Sequence, residues 1–253
     1  MRAKQAIYRL VSTVLLSFGL EVHRTRSTER RRGRFTRERS YHSKAIKNYL
    51  SSHQVRKLQI GAGDSILEGW LNTDYIPSHR RVIYLDATKS FPFEDESFEY
   101  IFSEHQIEHL TYKEGLAMLR ECYRILKAGG KIRIATPDLK TLIGLYSQDR
   151  SDLQQRYIKW FIDNCHIYVP EACINRESFV INAAFLKFGH RFIYDRETLK
   201  SAMEQVGFID VTSYAPGESD DELLRDIESR NKAGGNEDMN RFETMVLEAK
   251  RPI

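Results

Sequence analysis

Between residues 57 and 137 the chain breaks into five short runs rich in β-branched and aromatic residues, and each run stops at a turn residue or an acid. Lys57–Ile60 leads into Gly61-Ala62-Gly63, Trp70–Thr73 into Asp74, Val82–Leu85 into Asp86, Phe98–Phe102 into Ser103 and Glu104, and Lys131–Ala135 into Thr136 and Pro137. Helical patterns separate several of them. Thr111 with Glu114 three residues on has the form of a capping box, and Leu116, Leu119, Tyr123 and Leu126 behind it share one helical face. Ala128-Gly129-Gly130 reads as the stop of that helix and the turn into the fifth strand. Farther on, Asp195 reads as a helix N-cap, Leu199, Ala202, Met203 and Val206 form an apolar stripe, and Gly207 ends the helix. Ile209–Tyr214 and Thr244–Ala249 read as two last strands. Strands alternating with helices imply a parallel sheet with helices on its faces. In such a sheet the ligand sits outside the carboxyl ends of the strands, which singles out Gly61, Gly63, Asp74, Asp86, Glu104 and His105.

One spacing is irregular. Only ten residues separate Gly63 from Asp74, whereas a parallel crossover takes a dozen or more, usually with a helix. The first crossover helix is therefore expected to be abbreviated or missing. A helix around Ser43–Leu50 is expected to cover that face instead, turning Ala45, Ile46, Tyr49 and Leu50 toward the sheet.

Charge divides the 253 residues unevenly. Residues 1–39 hold eleven Arg or Lys and three acids, a net +8, so a chain total of +4 leaves −4 on the rest. The body is not the basic surface that tracks nucleic acid. Residues 1–40 read as a basic extension with a short apolar helix, and 41–253 as the folded domain. Val11–Leu20 is uncharged but too short to span a bilayer. Three readings of it stay open: an amphipathic helix on its own domain, a peripheral membrane anchor with Leu15, Leu16 and Phe18 at the interface beside the arginines, and a cleaved signal. A cytoplasmic protein, with or without peripheral membrane contact through residues 1–39, is expected. Cys122, Cys165 and Cys173 are too few and too irregular for a disulfide framework or a zinc site, and no metal ligand set is expected.

The stretches Leu58–Asp74 (LQIGAGDSILEGWLNTD), Asp86–Phe98 (DATKSFPFEDESF), Glu104–Leu110 (EHQIEHL) and Ile125–Asp138 (ILKAGGKIRIATPD) together resemble the predicted S-adenosylmethionine-dependent methyltransferases of the methyltransferase type 11 group. They look most like the branch whose members often lie beside polysaccharide-biosynthesis genes, as do Gly189–Phe208 (GHRFIYDRETLKSAMEQVGF) and Gly217-Glu218-Ser219. The resemblance implies a class I, Rossmann-like α/β domain with a seven-stranded, mostly parallel sheet and an antiparallel last strand. It implies S-adenosylmethionine as cofactor, lined by Gly61, Ala62, Gly63, Asp74, Asp86, Ala87 and Glu104. Glycine lets backbone approach the amino-acid end of such a ligand, and a strand-terminal carboxylate accepts from a ribose diol.

Two features depart from the family pattern. Asp64 and Ser65 follow Gly63 where many relatives carry a third glycine, and Gln59 stands where the wider superfamily often has a carboxylate for the ammonium end. The candidate proton acceptors are His105, nearest the fourth strand's end, and His190, grouped with Arg191 and Tyr194. The aromatic stretch before His190, within an insertion at about 147–190, is read as lid-like. The expected activity is methyl transfer to a small or saccharide-linked acceptor. The alternative is a non-catalytic module of the same fold that docks a partner enzyme. A nicotinamide dehydrogenase is disfavoured because the third glycine of its fingerprint would fall at Ile66.

Overall fold

The structure, a computed structural model, describes residues 41–164, 174–228 and 237–253. The basic extension, Cys165, Cys173 and part of the lid-like insertion (165–173) lie outside the described residues. The chain divides into two units, Met1–Lys44 and Ala45–Ile253, and the second holds the sheet and the cleft.

Seven strands form one sheet in the order β3-β2-β1-β4-β5-β7-β6. They are β1 (Lys57–Ile60), β2 (Leu71–Asp74), β3 (Val82–Tyr84), β4 (Phe98–Glu104), β5 (Leu126–Pro137), β6 (Ile209–Tyr214) and β7 (Thr244–Lys250). Pairing is parallel from β3 through β5, and β7 runs antiparallel to both β5 and β6. Six strands therefore share one direction and the last opposes them, as the Rossmann-like expectation has it. The order reverses between β1 and β4, and the crevice outside their carboxyl ends is where an open α/β sheet binds its ligand.

No helix lies between β1 and β2. Helix α1 (41–52) supplies the missing cover. Ile46 and Tyr49 are buried in the main core, with Ala45 and Leu50 packed against it. The Tyr49 hydroxyl accepts from Lys57 N (2.8 Å) and lies within hydrogen-bonding distance of the Lys57 and Gly69 carbonyls. One side chain so fastens the starts of both β1 and the link into β2.

The main core joins alternate strand residues (Leu58, Ile60, Ile101, Ile132, Ile134, Leu247) to α1, α2 (Tyr112–Ile125) and α6 (Arg196–Val206). The strand residues between them point the other way, as period two requires. Phe102, Ala135 and Val246 form a second core with Trp70 and Leu224. A third cluster unites α3 (Leu139–Gly144), α4 (Asp152–Asn164), α5 (Glu177–Leu186) and α7 (Glu237–Glu243) around Tyr157, Phe161 and Val180. Among the described residues no helix is long and apolar enough to cross a membrane.

Both predicted caps form. Glu114 N donates to Thr111 Oγ1 (3.3 Å) while Thr111 N donates to Glu114 Oε2 (2.9 Å), and Thr198 N donates to Asp195 Oδ1 (2.7 Å). One expected boundary moves. α2 ends at Ile125 rather than at Ala128-Gly129-Gly130, and β5 takes over from Leu126. Gly129 N donates to Arg251 O (3.0 Å) and Arg251 N to Gly130 O (2.9 Å). The glycines thus serve a pairing with the segment after β7, a long-range contact that overrides the local stop signal.

Candidate functional site

The carboxyl ends of β1, β2 and β4 open on a cleft of about 610 Å³. Gly61, Ala62, Gly63, Asp74, Ala87, Glu104 and His105 all line it, together with Gln59, Ser65, Tyr75, Ile76, Leu85, Gln106 and His109. Its volume suits a ligand of cofactor size.

The glycine loop is tied to β2. Gly61 N and Ala62 N both donate to Thr73 O (2.9 Å each), Gly63 N donates to Asp74 Oδ2 (2.8 Å), and Ser65 N donates to Ala62 O (2.8 Å). Gly61 and Gly63 have φ of +75° and +52°, the left-handed region that glycine enters without strain. A Cβ on Gly61 would stand 2.5 Å from Gln106 Cγ, so the loop passes directly against the segment after β4. Asp74 Oδ1 accepts from Ile76 N (2.7 Å). Each carboxylate oxygen holds one backbone donor and keeps further lone-pair capacity.

Two amide oxygens at the cleft carry no hydrogen bond although buried: Gln59 Oε1 and Gln106 Oε1. Unpartnered buried acceptors are uncommon in folded proteins, and here both belong to residues that line the cleft. Gln59 is the residue noted above as a departure from the pattern that the motifs resemble. Gln106 escapes sequence reading because a glutamine after a strand carries no local signal of burial. Asp86 lies between the lining residues Leu85 and Ala87 but is not itself on the wall. Its Oδ1 accepts from Thr88 N (2.9 Å) and Thr88 Oγ1 (2.7 Å), closing the turn after β3.

Beyond β4 the chain makes a 3-10 turn at Ile107–His109. His105 sits before it at φ +48°, buried, with Nε2 3.0 Å from Thr244 Oγ1 and Nδ1 3.2 Å from Glu108 Oε1. Both ring nitrogens therefore face protein. The Glu108 side chain is fully buried, and Oε2 accepts from Thr136 Oγ1 (3.0 Å). Burial pushes the Glu108 carboxyl up, but contact with His105 and the charge of the His105 and His109 imidazoles outweigh it and hold it at about 2.

His190 does not line the cleft. It stands behind His109, with ring centroids 5.0 Å apart, and stacks on Phe188. Burial lowers its pKa, against the upward pull of Glu108. Its two companions part from it. Arg191 is half-exposed and pairs with Glu114 (2.7 Å). Tyr194 is buried in the main core, and burial raises its hydroxyl's pKa.

Residues 58–134, from β1 into β5, match the family model described as a methyltransferase domain. No curated protein matches the chain. Similar solved structures include a SAM-dependent methyltransferase from Archaeoglobus fulgidus (19% identity, 84% of this chain and 94% of that one, TM-score 0.45). A SAM-dependent methyltransferase from Thermotoga maritima, described as a possible histamine N-methyltransferase, is 20% identical over 88% of this chain and 97% of that one (TM-score 0.43). A Haloferax volcanii putative methyltransferase solved with the Trm112 methyltransferase activator is 14% identical over 91% of this chain and all of its own (TM-score 0.42).

Proposed function

We propose that this chain is an S-adenosylmethionine-dependent methyltransferase whose cofactor occupies the cleft between β1, β2 and β4. The observation that carries the reading is the hydrogen-bonding state of the glycine loop. The N–H groups of Gly61, Ala62 and Gly63 are already spent on Thr73 and Asp74, and no helix starts between β1 and β2. A dinucleotide needs free loop amides and a helix N-terminus for its pyrophosphate. A cofactor with an ammonium, a carboxylate and a ribose has no pyrophosphate to hold. Its ammonium and diol need acceptors, and beside the cleft stand the unpartnered oxygens of Gln59 and Gln106 for the ammonium and the remaining Asp74 lone pairs for the diol.

In this reading Gln59, Gly61, Ala62, Gly63, Asp74 and Glu104 hold the polar parts, while Leu85 and Ala87 give the base an apolar slot and Asp86 fixes the turn that carries them. Bound there, S-adenosylmethionine supplies an electrophilic methyl group. The protein's own contribution is orientation and exclusion of water, the main lever available for an in-line displacement. His105, on the cleft wall, remains the residue proposed to stand on the acceptor side, whereas His190, behind His109, is off that wall. His105, held by Glu108 and Thr244, passes a proton only through those partners. The acceptor is taken to be a small molecule or a saccharide-linked group, in keeping with the family branch that the motifs resemble.

Calorimetry with S-adenosylmethionine on the wild type and Asp74→Ala tests this. Micromolar binding by the wild type is expected, weakened by about 10–100-fold in Asp74→Ala, the range for losing hydrogen bonds to a charged group. A well-folded wild type that binds nothing at millimolar ligand overturns the enzyme reading and favours a partner-docking module.

A further inference from the structure

The 3-10 turn after β4 and the loop after α5 converge on a cluster of titratable side chains behind the cleft wall at His109. Glu108 and His109 come from the turn, and His190 from the loop. Arg191 N (2.7 Å) and Phe192 N (3.1 Å) both donate to the Glu108 carbonyl, which fastens the loop against the turn. A carboxylate oxygen of Glu108 and one nitrogen from each of His109 and His190 all lie within 4.8 Å of one another. Glu108 is fully buried. Thr136 occupies its Oε2, while Oε1 receives no hydrogen bond, its nearest polar neighbour being His105 Nδ1 at 3.2 Å. His190 Nδ1 is also buried without a hydrogen bond. A buried carboxylate beside two imidazoles, one of them with a buried nitrogen that has no hydrogen bond, is a donor set of ligand type.

We propose that Glu108, His109 and His190 bind one divalent first-row transition-metal ion of the zinc class. Two imidazoles with one carboxylate select such an ion over magnesium or calcium, which take oxygen ligands. Bonds of about 2.0–2.2 Å set the ligand atoms roughly 3 Å apart, so the imidazoles of His109 and His190 turn inward on binding. The Thr136 hydroxyl then orients the ligating carboxylate, the role that outer hydrogen bonds play around metal ions. The irregular cysteines argue against zinc in the sequence, but this ligand set contains none. The one described cysteine, Cys122, is buried in the main core and takes no part. The site stands on its own geometry and does not depend on the methyl-transfer reading.

The test uses the untagged full chain, stripped with a chelator. It is titrated with Zn²⁺ against a competing chelator, and with Co²⁺ while the visible spectrum is followed. One equivalent of Zn²⁺ and Co²⁺ bands characteristic of nitrogen ligation are expected. Thr136→Val should weaken Zn²⁺ by about 10–100-fold, and His109→Ala and His190→Ala by more, each with its fold checked by circular dichroism. Absence of stoichiometric binding by the folded wild type overturns the proposal. Undiminished binding in both histidine variants puts the ion elsewhere and overturns it equally. If the alanine variants do not fold, His190→Gln and the wild-type Co²⁺ spectrum decide, and a featureless spectrum counts against the site.

Discussion

Gly61 shows how much one missing methyl group can decide. Its φ of +75° acts together with the closeness of Gln106 Cγ, which lies 2.5 Å from the place a Cβ would take. Gly61→Ala must strain the backbone and push back a side chain near its root, where it cannot swing away. The expected cost is about 1–3 kcal/mol of stability, read by urea unfolding, with a parallel loss of S-adenosylmethionine affinity. Unchanged unfolding and binding would show that the loop has slack. The glycines and Asp74 were legible because strand ends and turn residues announce themselves locally. Glu108 and Gln106 were not. An acid and an amide after a strand look like solvated loop. Glu108 is held by Thr136 from β5 and by the 190–192 segment, both distant in sequence, and Gln106 packs against Gly61. The ring partners of His105 were hidden for the same reason, since Thr244 comes from β7.

Helix ends tell a similar story one level up. Thr111 and Asp195 could be read as caps because a cap is made within four residues. The end of α2 could not, since its position depends on pairing with residue 251. α2 also reaches across to the loop after β3. Glu121 Oε2 accepts from Phe91 N (2.6 Å), Ser90 Oγ (3.2 Å) and Arg124 (2.7 Å). Chiefly the Arg124 hydrogen bond, joined by Phe91 N and partly opposed by burial, lowers the Glu121 pKa from 4.5. A carboxyl lowered by folding adds stability that is fully present above about pH 4.5 and is lost as pH falls through its lower folded value. Glu121→Gln is expected to lose stability at pH 7 and to flatten the acid limb of the stability curve below pH 4.5. An acid limb as steep as the wild type's would remove Glu121 from that role.

Across the whole sheet, Arg133 is the least expected feature. Centred on β5 and fully buried, it donates from Nε to Glu228 (2.6 Å) and from a guanidinium nitrogen to Glu248 of β7 and the Glu218 carbonyl (2.8 Å). Ser219 Oγ and Gly217 N complete the two carboxylates. The sequence showed a β-strand arginine, which by itself reads as solvent-facing. The 217–228 segment and β7 are what close over it. Arg133→Met leaves two buried acids without their cation and should cost about 3–5 kcal/mol in urea unfolding. Adding Glu228→Gln and Glu248→Gln should recover much of that. No recovery would mean that the arginine's packing, rather than its charge, is what matters. Strand order was equally illegible from periodicity, because nothing local says that β7 enters between β5 and β6. That insertion sets a timetable at the ribosome. β5 is complete at residue 137 and its neighbour begins only at 244, a delay of roughly 5–20 s at ordinary rates of synthesis. Throughout it the nascent chain carries an unpaired strand edge at its middle, the state in which a newborn sheet most invites a chaperone or a neighbour.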